Sequence, residues 1–213
     1  MKITIIYDNE TVRDDLVADW GFACLIEAHG RTILFDTGAR GNILIGNMKQ
    51  LNIDPASIDD VVISHAHWDH TGGLSEFLSR NRDVRLFVPA SLAIGGGAAK
   101  EVIPVKEAAP ISEHIYSTGE LMGVEQSLAV DTDKGLVVVV GCSHPGVKEI
   151  LDAAAGYGTL YALVGGLHGF SQFEAVKNLG LICATHCTQH TRQIRTLFSN
   201  VFVEGGAGQI IEI

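Results

Sequence analysis

The chain has 213 residues, of which 46% are hydrophobic, and its mean hydropathy is +0.23. This size and apolar content suit a folded protein with a sizeable core and exclude a disordered chain. A net charge of -10 argues against nonspecific binding to nucleic acid, because phosphates attract a basic surface. No apolar run approaches the ~20 residues that cross a bilayer, and Lys2 and Asp8 interrupt the first stretch too soon for a signal peptide. We therefore expect a cytoplasmic protein with neither a membrane nor a nucleic acid as partner.

Apolar, β-branched runs and helical spacing of apolar residues divide the first 90 residues into short elements. The predicted strands are residues 2–7, 20–27, 32–35, 61–63 and 85–88. The predicted helices are residues 42–51 and 73–79. Residues 28–31 have the length and the glycine of a hairpin turn, which should expose His29. Asn42 is the predicted N-cap of the first helix, because an Asn side chain accepts a hydrogen bond from the first helical turn.

Residues 90–110 have the least regular pattern of the chain, with a glycine triplet at Gly95-Gly96-Gly97 and two prolines near the end. We expect this segment to form a flexible lid or a substrate loop. The triplet is weak evidence for phosphate binding, because no motif such as Gly-Lys-Ser follows it.

The second half of the chain repeats the order of strands followed by helices. The predicted strands are residues 128–131, 136–140, 159–164, 181–184, 201–203 and 209–213. The predicted helices are residues 147–154, 172–179 and 188–198. Residues 132–135 contain the Asp and Gly of a tight hairpin. Strands and helices in this order favour two packed sheets with helices outside, a four-layer α/β arrangement.

Four potential metal ligands fall within six residues of the loop that follows the strand at 61–63. They are His65, His67, Asp69 and His70. A loop at the end of a rigid strand holds such side chains in place and leaves them open to substrate. Imidazole nitrogens and a carboxylate suit zinc, manganese or iron, so the motif predicts one or two divalent ions, with zinc favoured.

Three more histidines follow later strands in the same way. His144 comes after the strand at 136–140, His168 after 159–164 and His186 after 181–184. His190 lies four residues beyond His186 and faces the same cleft if the last helix begins early.

Four cysteines, Cys24, Cys142, Cys183 and Cys187, lack the paired spacing of a disulfide framework. Reduced thiols are therefore expected. Cys142 and Cys187 lie beside predicted ligands, so each is a ligand, a redox-sensitive neighbour or a small buried residue, and the last reading is favoured.

The His-x-His-x-Asp-His motif, followed by a glycine pair, resembles the signature of the metallo-β-lactamase superfamily. The resemblance implies an αββα sandwich, here one domain over residues 1–213, and two metal sites. It assigns one site to His65, His67 and His144, and the other to Asp69, His70 and His186. It also implies that Asp36, after the third strand, is a buried carboxylate that orients a ligand histidine. The alternative is an Asp that caps the following turn.

Three later motifs resemble the branch of this superfamily that contains the archaeal dihydropterin ribofuranosylaminobenzene-phosphate synthases and bacterial relatives. They are Gly-Cys-Ser-His-Pro-Gly at 141–146, Gly-Gly-Leu-His at 165–168 and Thr-His-Cys-Thr at 185–188. The chain departs from most superfamily hydrolases, which have a bridging Asp where His168 stands here. It also has Gln189 where the branch commonly has Gly, so substrate contacts there are expected to differ.

These observations predict a metal-dependent hydrolase or a diphosphate-releasing transferase that acts on a phosphorylated or pterin-like small molecule. The candidate catalytic residues are Asp69, His168 and His190. His168 or His190 would protonate a leaving group, because histidine ordinarily titrates near neutral pH. The alternatives are an iron-containing redox protein and a noncatalytic metal-binding or sensing module. The sequence does not predict an oligomeric state.

Overall fold

The computed structural model describes residues 1–95 and 97–213. Gly96, the middle residue of the glycine triplet in the predicted lid or substrate loop, lies outside these ranges. The strands in chain order are β1 (Lys2–Tyr7), β2 (Ala23–Ala28), β3 (Arg31–Phe35), β4 (Asp60–Val62), β5 (Arg85–Pro89), β6 (Glu101–Val105), β7 (Ala109–Ser112), β8 (Ile115–Ser117), β9 (Leu128–Val130), β10 (Leu136–Val140), β11 (Leu160–Gly166), β12 (Leu181–Thr185) and β13 (Ile210–Glu212). The helices are α1 (Gly41–Gln50), α2 (Trp68–Thr71), α3 (Leu74–Arg80), α4 (Val147–Ala154) and α5 (Thr191–Leu197). No helix in the described ranges has the length and apolar content to cross a membrane.

The strands form two sheets, in the orders β13-β1-β2-β3-β4-β5-β6 and β12-β11-β10-β9-β8-β7. Strands β3 to β6 are parallel to one another, and so are β10 to β12. Parallel neighbours end at the same edge of a sheet, so the loops after β3 and β4 meet, as do the loops after β10, β11 and β12. This geometry brings the histidines that follow these strands to one end of the molecule.

Apolar side chains of both sheets form the central layer of the protein. Phe35 and Val62 of the first sheet pack there with Val139 and Val164 of the second. Helices α1 and α3 cover the outer face of the first sheet, and α4 and α5 cover the outer face of the second. The αββα sandwich predicted from the sequence is confirmed.

Several predicted elements have the bounds that the sequence indicates, including β1, β10 and α4. The β2-β3 turn also forms as expected, with His29 and Gly30 at φ values of 50° and 71° and both exposed. The predicted cap Asn42 is wrong, because α1 begins at Gly41 and Arg40 takes the N-cap position without a side-chain hydrogen bond.

The segment 90–110, predicted to be irregular, contains β6 and the start of β7. These are the edge strands of the two sheets. Pro104 lies in β6 and Pro110 in β7, and an edge strand tolerates proline because one side of its backbone needs no partner. The prolines indicated a loop, whereas pairing with β5 and β8 made both stretches strands.

Two more predictions change near the carboxyl terminus. Residues 201–203 do not form a strand but make one isolated bridge, between Ile182 and Phe202. The helix predicted over 172–179 shortens to a 3₁₀ turn at Phe173–Val176. The last helix, α5, starts three residues later than predicted, so His190 occupies its N-cap position.

Candidate metal centre

The loop after β4 and the three loops after β10, β11 and β12 converge at one end of the sandwich. Ligand atoms of His65, His67 and His144 lie within 4.8 Å of one another, and so do those of Asp69, His70 and His186. We call these the first trio and the second trio. The six residues predicted as metal ligands are thus brought together in the two groups that the resemblance implied.

The distances within each trio are short enough for its three residues to bind one shared metal ion. In the first trio, the rings of His65 and His67 each lie 4.7 Å from the ring of His144, centroid to centroid. In the second, Asp69 Oδ2 is 3.3 Å from His186 Nε2 and 4.0 Å from His70 Nε2. The short helix α2 explains how one loop serves both trios, because it turns Asp69 and His70 away from the extended His65-Ala66-His67 segment.

Asp36 makes the contact expected of an orienting carboxylate. Its Oδ2 lies 2.7 Å from Nδ1 of His70 and accepts a hydrogen bond from Ser64 Oγ. Ser64 Oγ in turn lies 2.8 Å from Nδ1 of His65. Both imidazoles therefore make their supporting contact through Nδ1 and leave Nε2 available to bind a metal ion. Burial lowers the pKa of His70, but the charge and the hydrogen bond of Asp36, together with the charges of Asp69 and Glu125, outweigh it and raise the pKa.

Replacement of Asp36 by Asn is expected to weaken metal affinity about 10- to 100-fold, the usual effect of losing such a support. The carboxylate also accepts from the Ser64 backbone N–H through Oδ1, at 2.7 Å. The NH₂ of an asparagine would face one of these donors, and the negative charge beside His70 would be lost. Competition with a chromophoric chelator measures the change. Asp133→Asn, in an exposed turn, is the matched control and should bind metal like the unmutated protein. Equal affinity of both variants would exclude the orienting role.

His186 is held by residues that the sequence reasoning missed. Asn9 Oδ1 lies 3.0 Å from His186 Nδ1, and Asn9 Nδ2 donates to the His186 carbonyl oxygen. Asp8 Oδ2 accepts from the His186 backbone N–H at 3.2 Å. Burial raises the pKa of Asp8 to about 7. Trp20 Nε1 donates to Asp69 Oδ2 at 2.8 Å. Only the position of Asp8 and Asn9 at a strand end gave a signal in the sequence.

Glu125 was also missed, although it fixes the loop that carries His144. Its carboxylate is fully buried and accepts hydrogen bonds from four consecutive backbone N–H groups, at residues 141–144, over 2.9 to 3.1 Å. Burial raises the pKa of Glu125 even though these donors oppose the rise. Nothing in the local sequence distinguishes this glutamate from a surface one.

Four site residues adopt left-handed backbone conformations that side chains with a Cβ rarely take. They are Asp36, Ser143, His168 and His186, at φ values of 57°, 59°, 46° and 48°. Each follows a strand. Such strained residues concentrate at functional sites, where the surrounding structure holds them.

The electrostatics of the histidines suit cation binding. Burial, with the neighbouring imidazoles, lowers the pKa of His144 to about 4 and that of His186 to about 3, and it holds the pKa of His65 far below its usual value. These rings are therefore neutral at pH 7 and present lone pairs. Nε2 of His144 and Nε2 of His186 are buried without a hydrogen-bond partner. A buried polar atom without a partner is costly, so these residues fit a divalent cation.

The three candidate catalytic residues differ in position. Asp69 belongs to the second trio. His168 is exposed at the rim, with its ring 5.3 Å from that of His144. His190 instead packs against Phe173, at 6.4 Å between ring centroids. The structure thus places His168 beside His144 of the first trio, whereas the ring of His190 contacts Phe173.

A cavity of about 400 Å³ opens beside the first trio. His144, His168, Phe170 and Gln172 contribute to its lining. The volume is that of a site for a small molecule.

The fold and the trios define a four-layer αββα protein with a cluster of metal-binding residue types at the carboxyl ends of its parallel strands. Residues 21–166, more than half of the chain, match the family described as the metallo-beta-lactamase superfamily. The chain belongs to this superfamily.

Several known proteins are similar over nearly the whole chain. The 7,8-dihydropterin-6-methyl-4-(beta-D-ribofuranosyl)-aminobenzene-5'-phosphate synthase of Methanocaldococcus jannaschii is 28% identical, over 90% of this chain and 88% of its own. The solved structure of Tm1679, described as a metal-dependent hydrolase of the beta-lactamase superfamily, has a TM-score of 0.79 and 23% identity over 100% of this chain and 99% of its own. Zn(2+)-bound PqqB from Methylobacterium extorquens has a TM-score of 0.65 and 10% identity over 100% of both chains. At these identities the two structures show the shared fold.

Proposed function

We propose that this protein is a metal-dependent enzyme that acts on a phosphorylated small molecule, and that residues 1–213 fold as a single domain. The observation that carries the proposal is the pair of trios, whose buried Nε2 atoms on His144 and His186 have no partner. The first trio would hold one divalent ion and the second trio another, with zinc favoured over manganese and iron.

The two trios would hold divalent ions, whose chemistry would be to polarise a water molecule and to offset negative charge on a phosphoryl oxygen. The protein supplies the rest. Asp36, Glu125 and Asn9 hold the ligand side chains in position, so little reorganisation is needed when substrate binds. In its imidazolium form, His168 would give a proton to the leaving oxygen and become a neutral imidazole, because this side chain stands at the open rim beside His144.

Two aromatic side chains at the site favour a substrate that contains a flat ring. Trp20 is 51% exposed although its Nε1 donates to Asp69, and Trp68, next to His67, is 64% exposed. Exposed indole faces next to a cluster of ligands suit stacking against a planar group. The cavity beside His144 has room for the remainder of a small molecule.

Two reactions are consistent with this site, and one assay separates them. Hydrolysis of a phosphate ester or diphosphate is suggested by the two trios, because ions held there would supply an activated water and offset charge on a phosphoryl oxygen. Joining of a dihydropterin methyl carbon to an aminobenzene ring is suggested by the name of the Methanocaldococcus relative. The resemblance to its branch implies that diphosphate leaves the dihydropterin donor as the ring attacks. Metal-loaded protein should turn over a phosphodiester or a dihydropterin diphosphate. No turnover of either would remove support for this substrate class.

Replacement of His168 by Gln should lower kcat by about 10²- to 10⁴-fold, the usual contribution of a general acid. Metal content should not change, because His168 lies outside both trios. The comparison is His190→Gln, whose ring packs against Phe173, and for which a smaller change is expected. Steady-state kinetics on the substrate found above, with metal analysis, gives both values. Equal loss in the two variants would contradict the assignment of the proton donor to His168.

A further inference from the structure

Cys142 lies between the two trios. Its Sγ belongs to one group of close ligand atoms with His65 and His70, and to another with His186 and Cys187, all within 4.8 Å. It is 3.2 Å from Nε2 of His70, the nitrogen that remains free when Nδ1 contacts Asp36. Only 4% of the residue is exposed. Cys142 therefore reaches ligand atoms of both trios.

The loop that carries Cys142 is held rigidly. Its backbone N–H donates to Glu125 Oε1 at 3.0 Å, as do the N–H groups of its two neighbours. Because these hydrogen bonds fix the backbone of the loop, the sulfur of Cys142 is held close to the histidines.

The neighbouring strand end contributes no side chain to the same space. Gly166 ends β11, and a Cβ there would lie 2.7 Å from Cys187 Sγ and 2.5 Å from the Gly141 carbonyl oxygen. Position 166 therefore tolerates only glycine without rearrangement. Among the described residues, Asp69 is the one carboxylate in the groups of close ligand atoms. The further potential metal ligand beside His70 Nε2 is therefore the thiol of Cys142.

His186 gives independent evidence that a ligand belongs here. Its side chain is fully buried, and its Nε2 has no hydrogen-bond partner. His186 and Cys142 belong to the same group of ligand atoms that lie within 4.8 Å of one another. A cation between these atoms would satisfy the nitrogen, which a hydrogen bond from Cys142 to His70 leaves without a partner.

We propose that the Cys142 thiolate is a ligand of the metal ion held by the second trio. This inference rests on the proposed function, because it requires the metal centre. When the ion binds, the thiol proton is released to solvent and sulfur takes the ion in its place. A thiolate makes this site select zinc, cobalt or cadmium over magnesium or manganese, which prefer oxygen ligands.

Cys187 is the matched control, because it is a cysteine at the same site with a different position. Its Sγ joins the close group of Cys142 and His186 but not the group that contains His65 and His70. It also fills the space beside Gly166 and donates weakly to the Cys142 carbonyl oxygen, at 3.8 Å. We assign Cys187 to packing.

Cobalt spectroscopy tests the assignment without an activity measurement. Reduced protein loaded with Co(II) should show visible d–d bands and a near-ultraviolet sulfur-to-cobalt charge-transfer band. Cys142→Ala should lose the near-ultraviolet band and keep visible bands, whereas Cys187→Ala and Cys183→Ala should keep both. Cys183 lies in the central core, so it controls for loss of a buried thiol. Loss of the band in Cys187→Ala alone would overturn the assignment.

Spectra of the unmutated protein distinguish the thiolate ligand from the metal centre on which it depends. Visible bands without the near-ultraviolet band would exclude thiolate ligation and leave the metal centre standing. Absence of both bands after loading would overturn the proposed function itself. Cadmium NMR of the unmutated protein gives a second readout that needs no folded variant: a low-field resonance indicates a sulfur ligand, and a resonance in the range of nitrogen and oxygen ligands alone contradicts one.

Discussion

Removal of the metal with a chelator should lower the thermal unfolding midpoint of the protein by about 10 °C. A ligand that binds only the folded state and is present at a thousand times its Kd stabilises that state by about 4 kcal/mol, and each kcal/mol moves the midpoint of a chain this long by roughly 2–4 °C. Two imidazoles of the trios, those of His144 and His186, have a buried Nε2 that lacks a partner without the ion. Calorimetry before and after chelation measures the shift.

Two double variants decide whether this shift comes from the trios. His144→Ala with His186→Ala removes one ligand from each trio, so chelation should no longer move the midpoint. His29→Ala with His114→Ala removes a pair of histidines that pack together elsewhere, at 4.9 Å between ring centroids, and should keep the full shift. Elemental analysis of the unmutated protein gives the number and identity of the ions. A midpoint that chelation leaves unchanged in the unmutated protein would contradict the metal centre, and iron in protein purified without oxygen would favour the redox alternative.

Glu125→Gln should lower the free energy of unfolding by on the order of 3 kcal/mol. The buried carboxylate accepts from four backbone N–H groups through both its oxygens. A glutamine has one carbonyl oxygen, and its NH₂ would face at least one of these donors. Each buried donor that loses its acceptor retains the cost of leaving water. Urea unfolding of the metal-free proteins measures this loss without a contribution from bound metal.

The same substitution should also weaken metal binding, because the loop that Glu125 holds carries His144. Glu113→Gln is the control: its side chain is 90% exposed, and neither stability nor metal affinity should change by more than the error of the measurement. If Glu125→Gln unfolded at the same urea concentration as the unmutated protein, the four hydrogen bonds would not stabilise the loop as described. Loss of stability with unchanged metal affinity would limit Glu125 to a structural role.

The two predictions involve some residues that could be identified from the sequence and others that could not. The ligands of the trios were predicted, because the His-x-His-x-Asp-His motif is local and because His144 and His186 each follow an apolar strand. The orienting role of Asp36 was implied by the superfamily resemblance, which places an Asp after this strand. In contrast, the supports contributed by Glu125, Asn9 and Trp20 lie far along the chain from the residues they hold.

The edge strands give the same lesson for the fold. β10 was predicted with its observed bounds because five apolar residues in a row favour a buried strand. β6 and β7 contain prolines and part of an irregular stretch, and only pairing with β5 and β8 made them strands. A buried strand can be predicted from a short apolar run, because it depends on local residue types. An edge strand instead depends on a partner strand whose position no local pattern encodes.

The sequence by itself indicated the central strands, the αββα class and the six residues of the two trios, because these depend on residue type, on period and on position at strand ends. Only the tertiary structure decided which side chains hold those ligands, that His168 rather than His190 stands beside His144, and that the sulfur of Cys142 lies next to His70. The physical reason is that these contacts join separate strand ends. Their distances depend on how both sheets pair and pack, and a linear pattern carries no information about that packing.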